Sequence, residues 1–397
     1  MMKKFRSICW FFCIAGFSFC PSLLAQDQSI NKGFRSESRV DAAIEEALEK
    51  KQMPGAVVCI GNHEGVAFLK AYGHRALLPA KEKMTVDTVF DLASLTKPIA
   101  TATSIMILLE QGKVRLRDPV SVYLPEFGKQ GKKSITIKQL LTHIGGLIPD
   151  NALNDYKQGP MVAFQKINEL EPRWEPGTRF AYTDVGFIVL AEVVRKQSGK
   201  PINKFAKEHI FQPLRMKETT YNPPQALRLR CAVTQQRNGN WMRGEVHDPR
   251  AFELGGVAGH AGLFSTATDL SRYCQMFLRS RNTRNKATQA VLSPRSIQLM
   301  TDEYLLPGGA KRGLGWDKLS PYSSNRGELM TSTAFGHGGF TGTAIWIDPE
   351  LDLFVVFLSN RVHPEGKGSV NRLAGRIGTI AAAEFSHRQS ERFSTRK

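Results

Sequence analysis

Ser94-Leu95-Thr96-Lys97 stands where an extended segment gives way to a helical one. From Leu95 to Gln111 the apolar residues Ile99, Ala102, Ile105, Met106 and Leu109 recur at helical spacing, and Gly112 closes the run as a residue just past a helix C-terminus does. Ser94 therefore opens a helix, and the three-residue step to Lys97 puts a hydroxyl and an amine on one face of its first turn. A serine beside an amine base is one way to make an oxygen that attacks a carbonyl. The same four residues also fit a helix-capping serine followed by a surface lysine. The choice between the two rests on what accompanies them.

Two further stretches follow in chain order. Tyr182-Thr183-Asp184 precedes a helical run from Val185 to Gln197 and comes after the turn Glu175-Pro176-Gly177-Thr178. A phenol near the lysine can relay a proton between serine and leaving group. His337-Gly338-Gly339-Phe340-Thr341-Gly342-Thr343 opens the strand predicted over Gly342 to Asp348. Gly338 and Gly339 let a substrate approach an edge-strand backbone, whose N–H groups can then hold an oxyanion.

Working outward, the N-terminal half of the fold reads as a helix over Val40 to Lys51 and an antiparallel hairpin, Gly55 to Gly61 and Gly65 to Tyr72, turning at Asn62-His63-Glu64. Helical runs cover Ile137 to Thr142, Met161 to Leu170, Ile202 to Ile210 and Asp269 to Leu278. Strands return at Gly342 to Asp348 and Leu353 to Leu358, before a last helix from Val370 to Phe385. This order predicts an α+β fold: an antiparallel sheet made from both ends of the chain, flanked by helices, with a mainly helical lobe inserted. The boundaries are a catalytic domain over 37–386, its α/β lobe about 37–93 and 327–386 and its helical lobe about 94–326, with the site between the lobes. Residues 307–326, rich in Gly, Ser and charge, read as a mobile loop, and 387–397 as a basic disordered tail.

Residues 1–25 carry Lys3, Lys4 and Arg6 ahead of an apolar run from Ile8 to Phe19, and end in Leu23-Leu24-Ala25. That is the layout of a secretory signal peptide, followed by a polar linker over 26–36. The chain is expected to be exported to the periplasm or cell envelope, with membrane contact only if the signal stays uncleaved. Formal net charge is +18, and removing Lys3, Lys4 and Arg6 leaves +15. Such a balance favours peptidoglycan or another anionic envelope polymer, or simply keeps the protein soluble. No basic run interleaves with aromatics, so nucleic acid is excluded.

Outside the signal, Cys59, Cys231 and Cys274 permit one disulfide at most. His247-Asp248 and His260 lack the helical spacing of a metal pair, so no metal and no cofactor are expected. His143 reads as a hydrogen-bonded core histidine. Trp174, Trp241, Trp316 and Trp346 read as packing residues, Trp316 alone having a glycine-rich setting that suits the border of a cleft.

Together the three blocks resemble the serine β-lactamase and penicillin-binding protein family, and within it the class C-like branch of β-lactamases, D-Ala-D-Ala carboxypeptidases and esterases. Scaffold segments share the likeness: Leu140 to His143, Trp174 to Gly177, and Gly259-His260-Ala261-Gly262-Leu263-Phe264-Ser265. The resemblance implies a β-lactamase/transpeptidase-like fold and a serine hydrolase with an acyl-enzyme on Ser94. Lys97 would be its base or proton partner, with Tyr182 sharing proton transfer. The N–H groups of Ser94 and Phe340 would form an oxyanion hole, worth about 3 kcal/mol per donor. Burial at a helix N-terminus is expected to depress the Lys97 pKa. The substrate would be a small D-amino-acid wall peptide, a β-lactam or an ester; a wall-peptide binder without catalysis is the contrasting reading.

Two departures bear on the substrate. Asp184 stands where the family commonly has Asn and, when ionised, can only accept hydrogen bonds. His337 replaces the usual Lys and is only partly charged near neutral pH, so it attracts a substrate carboxylate less firmly. Arg361, in Leu358-Ser359-Asn360-Arg361, is the candidate replacement cation, able to clamp a carboxylate in two places.

Overall fold

A computed structural model describes residues 29–280 and 291–394. The signal segment lies outside the described residues. Among them, the main sheet has ten strands, all paired antiparallel. In spatial order nine run Ile30–Asn31, Val66–Ala76, Gly55–Gly61, Leu353–Ser359, Thr343–Asp348, Phe335–Gly339, Asp317–Leu319, Lys311–Arg312 and Tyr304–Leu305, with Glu82–Lys83 pairing off Val66–Ala76. The two ends of the chain meet at the centre, where Val57 faces Leu358 and Cys59 faces Val356.

Leu353–Ser359 is apolar at nearly every position because both faces of the sheet are covered. Side chains alternate between them. Val355 and Phe357 pack with Ala56, Val58 and Ile60 beneath the helices Glu37–Glu49 and Asn371–Ser394. Phe354, Val356 and Leu358 join Val57 and Cys59 in the larger core, which extends into the helical middle of the chain. That middle holds the expected helices Pro160–Glu169, Val185–Ser198 and Ala267–Arg279, together with short β pairings such as Phe90–Asp91 with Leu263–Ser265. No helix among the described residues is long and apolar enough to cross a membrane. Cys59, Cys231 and Cys274 are buried free thiols.

Four readings of the sequence change. Within the linker, Ile30–Asn31 pairs with Leu69 and Phe68, and Phe34 is buried on Phe68, so one aromatic anchors a segment whose composition is polar. The tail continues the last helix to Ser394, held where Arg388 reaches Gly33 O and Glu384 and where Gln389 Nε2 donates to Glu350 O. The loop over 307–326 adds two strands to the sheet. It is organised by Trp316, which is fully buried against Tyr273, Phe277 and Phe335 and borders no cleft. Finally, Phe335–Gly339 is itself a strand, and at Gly336 it pairs with Asp317, so the sheet extends past it.

Candidate active site

The chain ahead of Ser94 is strained and tightly held. Ala93 has φ +45°, a left-handed conformation that a side chain disfavours. Its N–H donates to Asp91 Oδ1 at 2.8 Å, while Asp91 Oδ2 accepts from the His247 N–H at 2.6 Å. From the hairpin that carries the glycines, Thr341 Oγ1 donates to Asp91 O at 2.7 Å and Thr343 Oγ1 to Leu92 O at 3.1 Å. These bonds fasten the Ser94 turn to the sheet. They also explain the glycines: a Cβ on Gly339 would sit 2.5 Å from Leu92 O, and one on Gly338 would sit 2.4 Å from Asn325 Nδ2.

Burial raises the Asp91 carboxyl to about 6, against the pull of its two backbone donors. The folded chain therefore holds this proton more tightly than the unfolded chain does. Its contribution to stability is largest below pH 4 and falls by roughly 2 kcal/mol as pH climbs from about 4 to 7. Asp91→Asn cannot titrate. The stability of the parent minus that of the variant, from urea unfolding, is expected to drop by that amount between pH 4 and pH 7; an unchanged difference would refute the assignment.

After Ser94 the helix begins with a wide, π-type turn over Lys97–Ala102 and becomes regular at Thr103–Glu110. Pro98 sits at the second position of that turn, where no N–H is called for, and its carbonyl accepts from the Thr103 N–H as well as from Thr103 Oγ1 at 2.9 Å and Tyr273 OH at 3.2 Å. Lys97 is wholly buried, its Nζ 3.0 Å from Ser94 Oγ, 3.1 Å from His260 O and 2.6 Å from Asp184 Oδ1. Burial pushes the ammonium toward deprotonation, but Asp184 and then Tyr182 outweigh it, and the lysine pKa rises above its ordinary value. The expected depression is thus reversed by an aspartate at the end of the second block.

Tyr182 lines the cleft beside Ser94, and its ring lies 5.0 Å under the Lys97 ammonium. Burial raises its pKa, with Lys97 opposing, and the hydroxyl stays protonated. Its ring stacks on His143 at 4.4 Å. His143 Nδ1 accepts the Thr183 N–H at 3.2 Å, in keeping with a core histidine.

Ser94, Tyr182, His337, Gly338, Gly339 and Phe340 line one cleft of about 260 Å³. Asp184 is not on its wall; its carboxylate is turned to Lys97. His337 is buried, its Nδ1–H donating to Gly338 O at 2.7 Å, and desolvation holds it neutral, well below the ordinary histidine range. Arg361 reaches the cleft too, but its N–H groups go to Phe340 O, Gly366 O and Gly368 O, and its guanidinium lies 4.5 Å over the Phe340 ring. It clasps the hairpin tip to the segment after it with three of its five N–H groups.

The cation absent from the sequence reading is Arg312. It is fully buried, lines the cleft, and stands 3.5 Å from Asp317, with Nε and Nη2 unpartnered. Tyr322 and Asn325 from the same segment complete the wall. The available signal was Lys311-Arg312 and Asp317 bracketing the apolar pair Leu314 and Trp316 within the glycines. Behind Lys97, Asp184, Asp248 and His260 bring one polar atom each within 4.8 Å of one another. They form a charge network: Asp184 closes on Lys97, and Asp248 Oδ1 bonds His260 Nε2 at 2.9 Å.

Comparison with known proteins identifies the family. The chain is 31% identical over 364 residues to an "N-acetylmuramyl-L-alanine amidase" of Bacillus subtilis (strain 168), across 82% of this chain and 81% of that one. It is 30% identical over 327 residues to a "Putative D-alanyl-D-alanine carboxypeptidase" of Escherichia coli (strain K12), across 74% of each. In fold it matches a penicillin-binding protein homologue from Caulobacter crescentus with TM-score 0.71 at 20% identity, over 90% of this chain and all of that one. The family model described as Beta-lactamase matches residues 40–378, which takes in all three sequence blocks, and the chain belongs to that family.

Proposed function

We propose that this protein is an exported serine hydrolase that forms an acyl-enzyme on Ser94 and cleaves D-amino-acid peptides of the cell wall, in the manner of a D-Ala-D-Ala carboxypeptidase. The observation that carries the reading is Lys97 Nζ at 3.0 Å from Ser94 Oγ, beside a cleft whose wall holds a buried guanidinium with unpartnered N–H groups. The Ser94 and Phe340 N–H groups serve as oxyanion donors, and Tyr182 carries a proton to the leaving nitrogen. Arg312 supplies charge-assisted hydrogen bonds to the terminal carboxylate of the substrate, a role that neutral His337 cannot fill. The layout of residues 1–25 supports export, and the net charge of +18 supports attraction to anionic envelope polymers.

A second reading is cleavage of the amide between a muramyl group and a peptide stem, favoured by the name of the Bacillus relative. Incubation with a fluorophosphonate, a fluorescent penicillin, an acyl-D-Ala-D-Ala peptide and a muramyl peptide, with mass spectrometry of Ser94, separates the readings. No adduct on Ser94 from any of them would end the proposal. Labelling by the fluorophosphonate, with release from the muramyl peptide alone, would favour the amidase. Arg312→Gln is expected to lower kcat/KM for acyl-D-Ala-D-Ala about 100-fold, the worth of roughly 3 kcal/mol of hydrogen bonding to charge. The corresponding terminal amide should change less than threefold; equal losses on both would remove Arg312 from carboxylate recognition.

A further inference from the structure

The Lys97 ammonium donates to Ser94 Oγ at 3.0 Å and to His260 O at 3.1 Å, and forms an ion pair with Asp184 Oδ1 at 2.6 Å, an oxygen with no hydrogen-bond partner of its own. Held this way it has no lone pair with which to take the serine proton. Tyr182 is no better placed, since its buried hydroxyl still carries its own proton. The Asp184 carboxylate is the one partner of Lys97 with room for another proton. Asp184 precedes the helix Val185–Ser198 yet makes no side-chain capping bond; the Gly186 N–H is instead served by Thr183 Oγ1 at 3.4 Å. The carboxylate is thereby released from the usual duty of its position and faces the lysine.

We propose that Asp184 is the proton acceptor of acylation, reached through Lys97, so that serine, lysine and aspartate act as one relay. This rests on Ser94 being the nucleophile. Lys97 passes an N–H proton to Asp184 Oδ1 and becomes an amine. That lone pair takes the Ser94 hydroxyl proton as Oγ bonds the substrate carbonyl carbon, and the carbonyl π pair moves onto oxygen. The state reached holds an ammonium, a neutral Asp184 and an oxyanion, with the same total charge as at the start. When the oxyanion collapses, the carbon–nitrogen bond breaks and the leaving nitrogen receives a proton by way of Lys97 and Tyr182, which Asp184 then replaces.

The groups around Asp184 come from several elements. Lys97 and Tyr182 face it from the cleft side, and Asp150 from the loop after Leu147. On the remaining side stand Asp248, Arg250 of the helix Pro249–Glu253, and His260. Burial, and then the nearby Asp184 carboxylate, raises the Asp150 pKa. The Asp184 side chain is only 19% exposed, which shortens the reach of bulk water as a rival proton acceptor.

The test uses the full chain with an activated ester and with acyl-D-Ala-D-Ala, reading kcat/KM across pH, with fluorophosphonate labelling of Ser94 alongside. Asp184→Asn keeps the shape and removes the acceptor. It is expected to fold and to lose 10²- to 10⁴-fold in kcat. Asp184→Ala should lose as much, and added formate should restore at least tenfold of it, which a merely structural role would not allow. If the parent labels and turns over but Asp184→Asn keeps its rate within threefold, the relay is wrong while the Ser94 reading stands. Should Asp184→Asn not fold, the absence of formate rescue in Asp184→Ala overturns the relay by itself. If Ser94 of the parent takes no label, the reading beneath the relay falls and the relay with it.

Discussion

Ser94→Ala lowers kcat by about a million-fold, the scale on which a serine hydrolase responds to loss of its nucleophile, while the chain stays folded. The reason lies in how little else Ser94 does. Its Oγ contributes one hydrogen bond, from Lys97, and that ammonium keeps His260 O and Asp184 Oδ1 as acceptors. The strained turn at Ala93 is set by Asp91 and the hairpin threonines, none of which touches the serine hydroxyl. Thermal unfolding is therefore expected within a few degrees of the parent. Intact acyl-D-Ala-D-Ala should bind Ser94→Ala without being consumed, measurable by calorimetry. Residual turnover above about one-thousandth of the parent rate would mean that another group attacks the substrate.

Lys97→Met has the second largest effect and, unlike the first, acts on stability as well. Activity falls by about 10⁴-fold, the upper range for losing a proton-transfer group. Stability falls by about 3 kcal/mol, because the Asp184 carboxylate is left without its buried partner; its partial exposure keeps the loss at the low end of that range. The two losses come apart in the double variant. Lys97→Met with Asp184→Asn should recover most of the stability and none of the activity, since it removes the orphaned charge but not the need for a base. Chemical denaturation of the parent, both single variants and the double variant measures this. A double variant as unstable as Lys97→Met would show that the cost is packing of the lysine stem and not the ion pair.

The parts of this molecule legible in its sequence are those in which one local pattern has one physical meaning. Leu353–Ser359 is an apolar run bounded by turn residues, and the helix after Ser94 shows a clean apolar stripe. Ser94, Lys97 and Tyr182 lie in separate blocks of the sequence, and the structure brings them together. Charge states were illegible because they depend on neighbours remote in sequence. The Asp184 carboxylate stabilises the proton on Lys97, and burial, then the nearby Arg312 charge, keeps His337 neutral. Composition misled at 307–326, where the glycines and serines that suggest a loose loop surround one buried tryptophan and one buried arginine. Arg361 misled in another way: position put it at the cleft, but the carbonyls that engage it belong to turns whose shape no periodicity announces.

The pairing of Gly55–Gly61 with Leu353–Ser359 sets a timetable for the molecule. Partners such as Val57 and Leu358 are about 300 residues apart, so the central ladder cannot close until nearly the whole chain has been made. Ser94 is synthesised early, but the strand that flanks it and the glycines that fit over its turn arrive in the last fifth of the chain. A nascent or truncated polypeptide therefore holds Ser94 apart from the strand and glycines that complete its cleft, and a topology so dominated by distant contacts folds slowly. The cleft is complete only once the end of the chain has been made and paired.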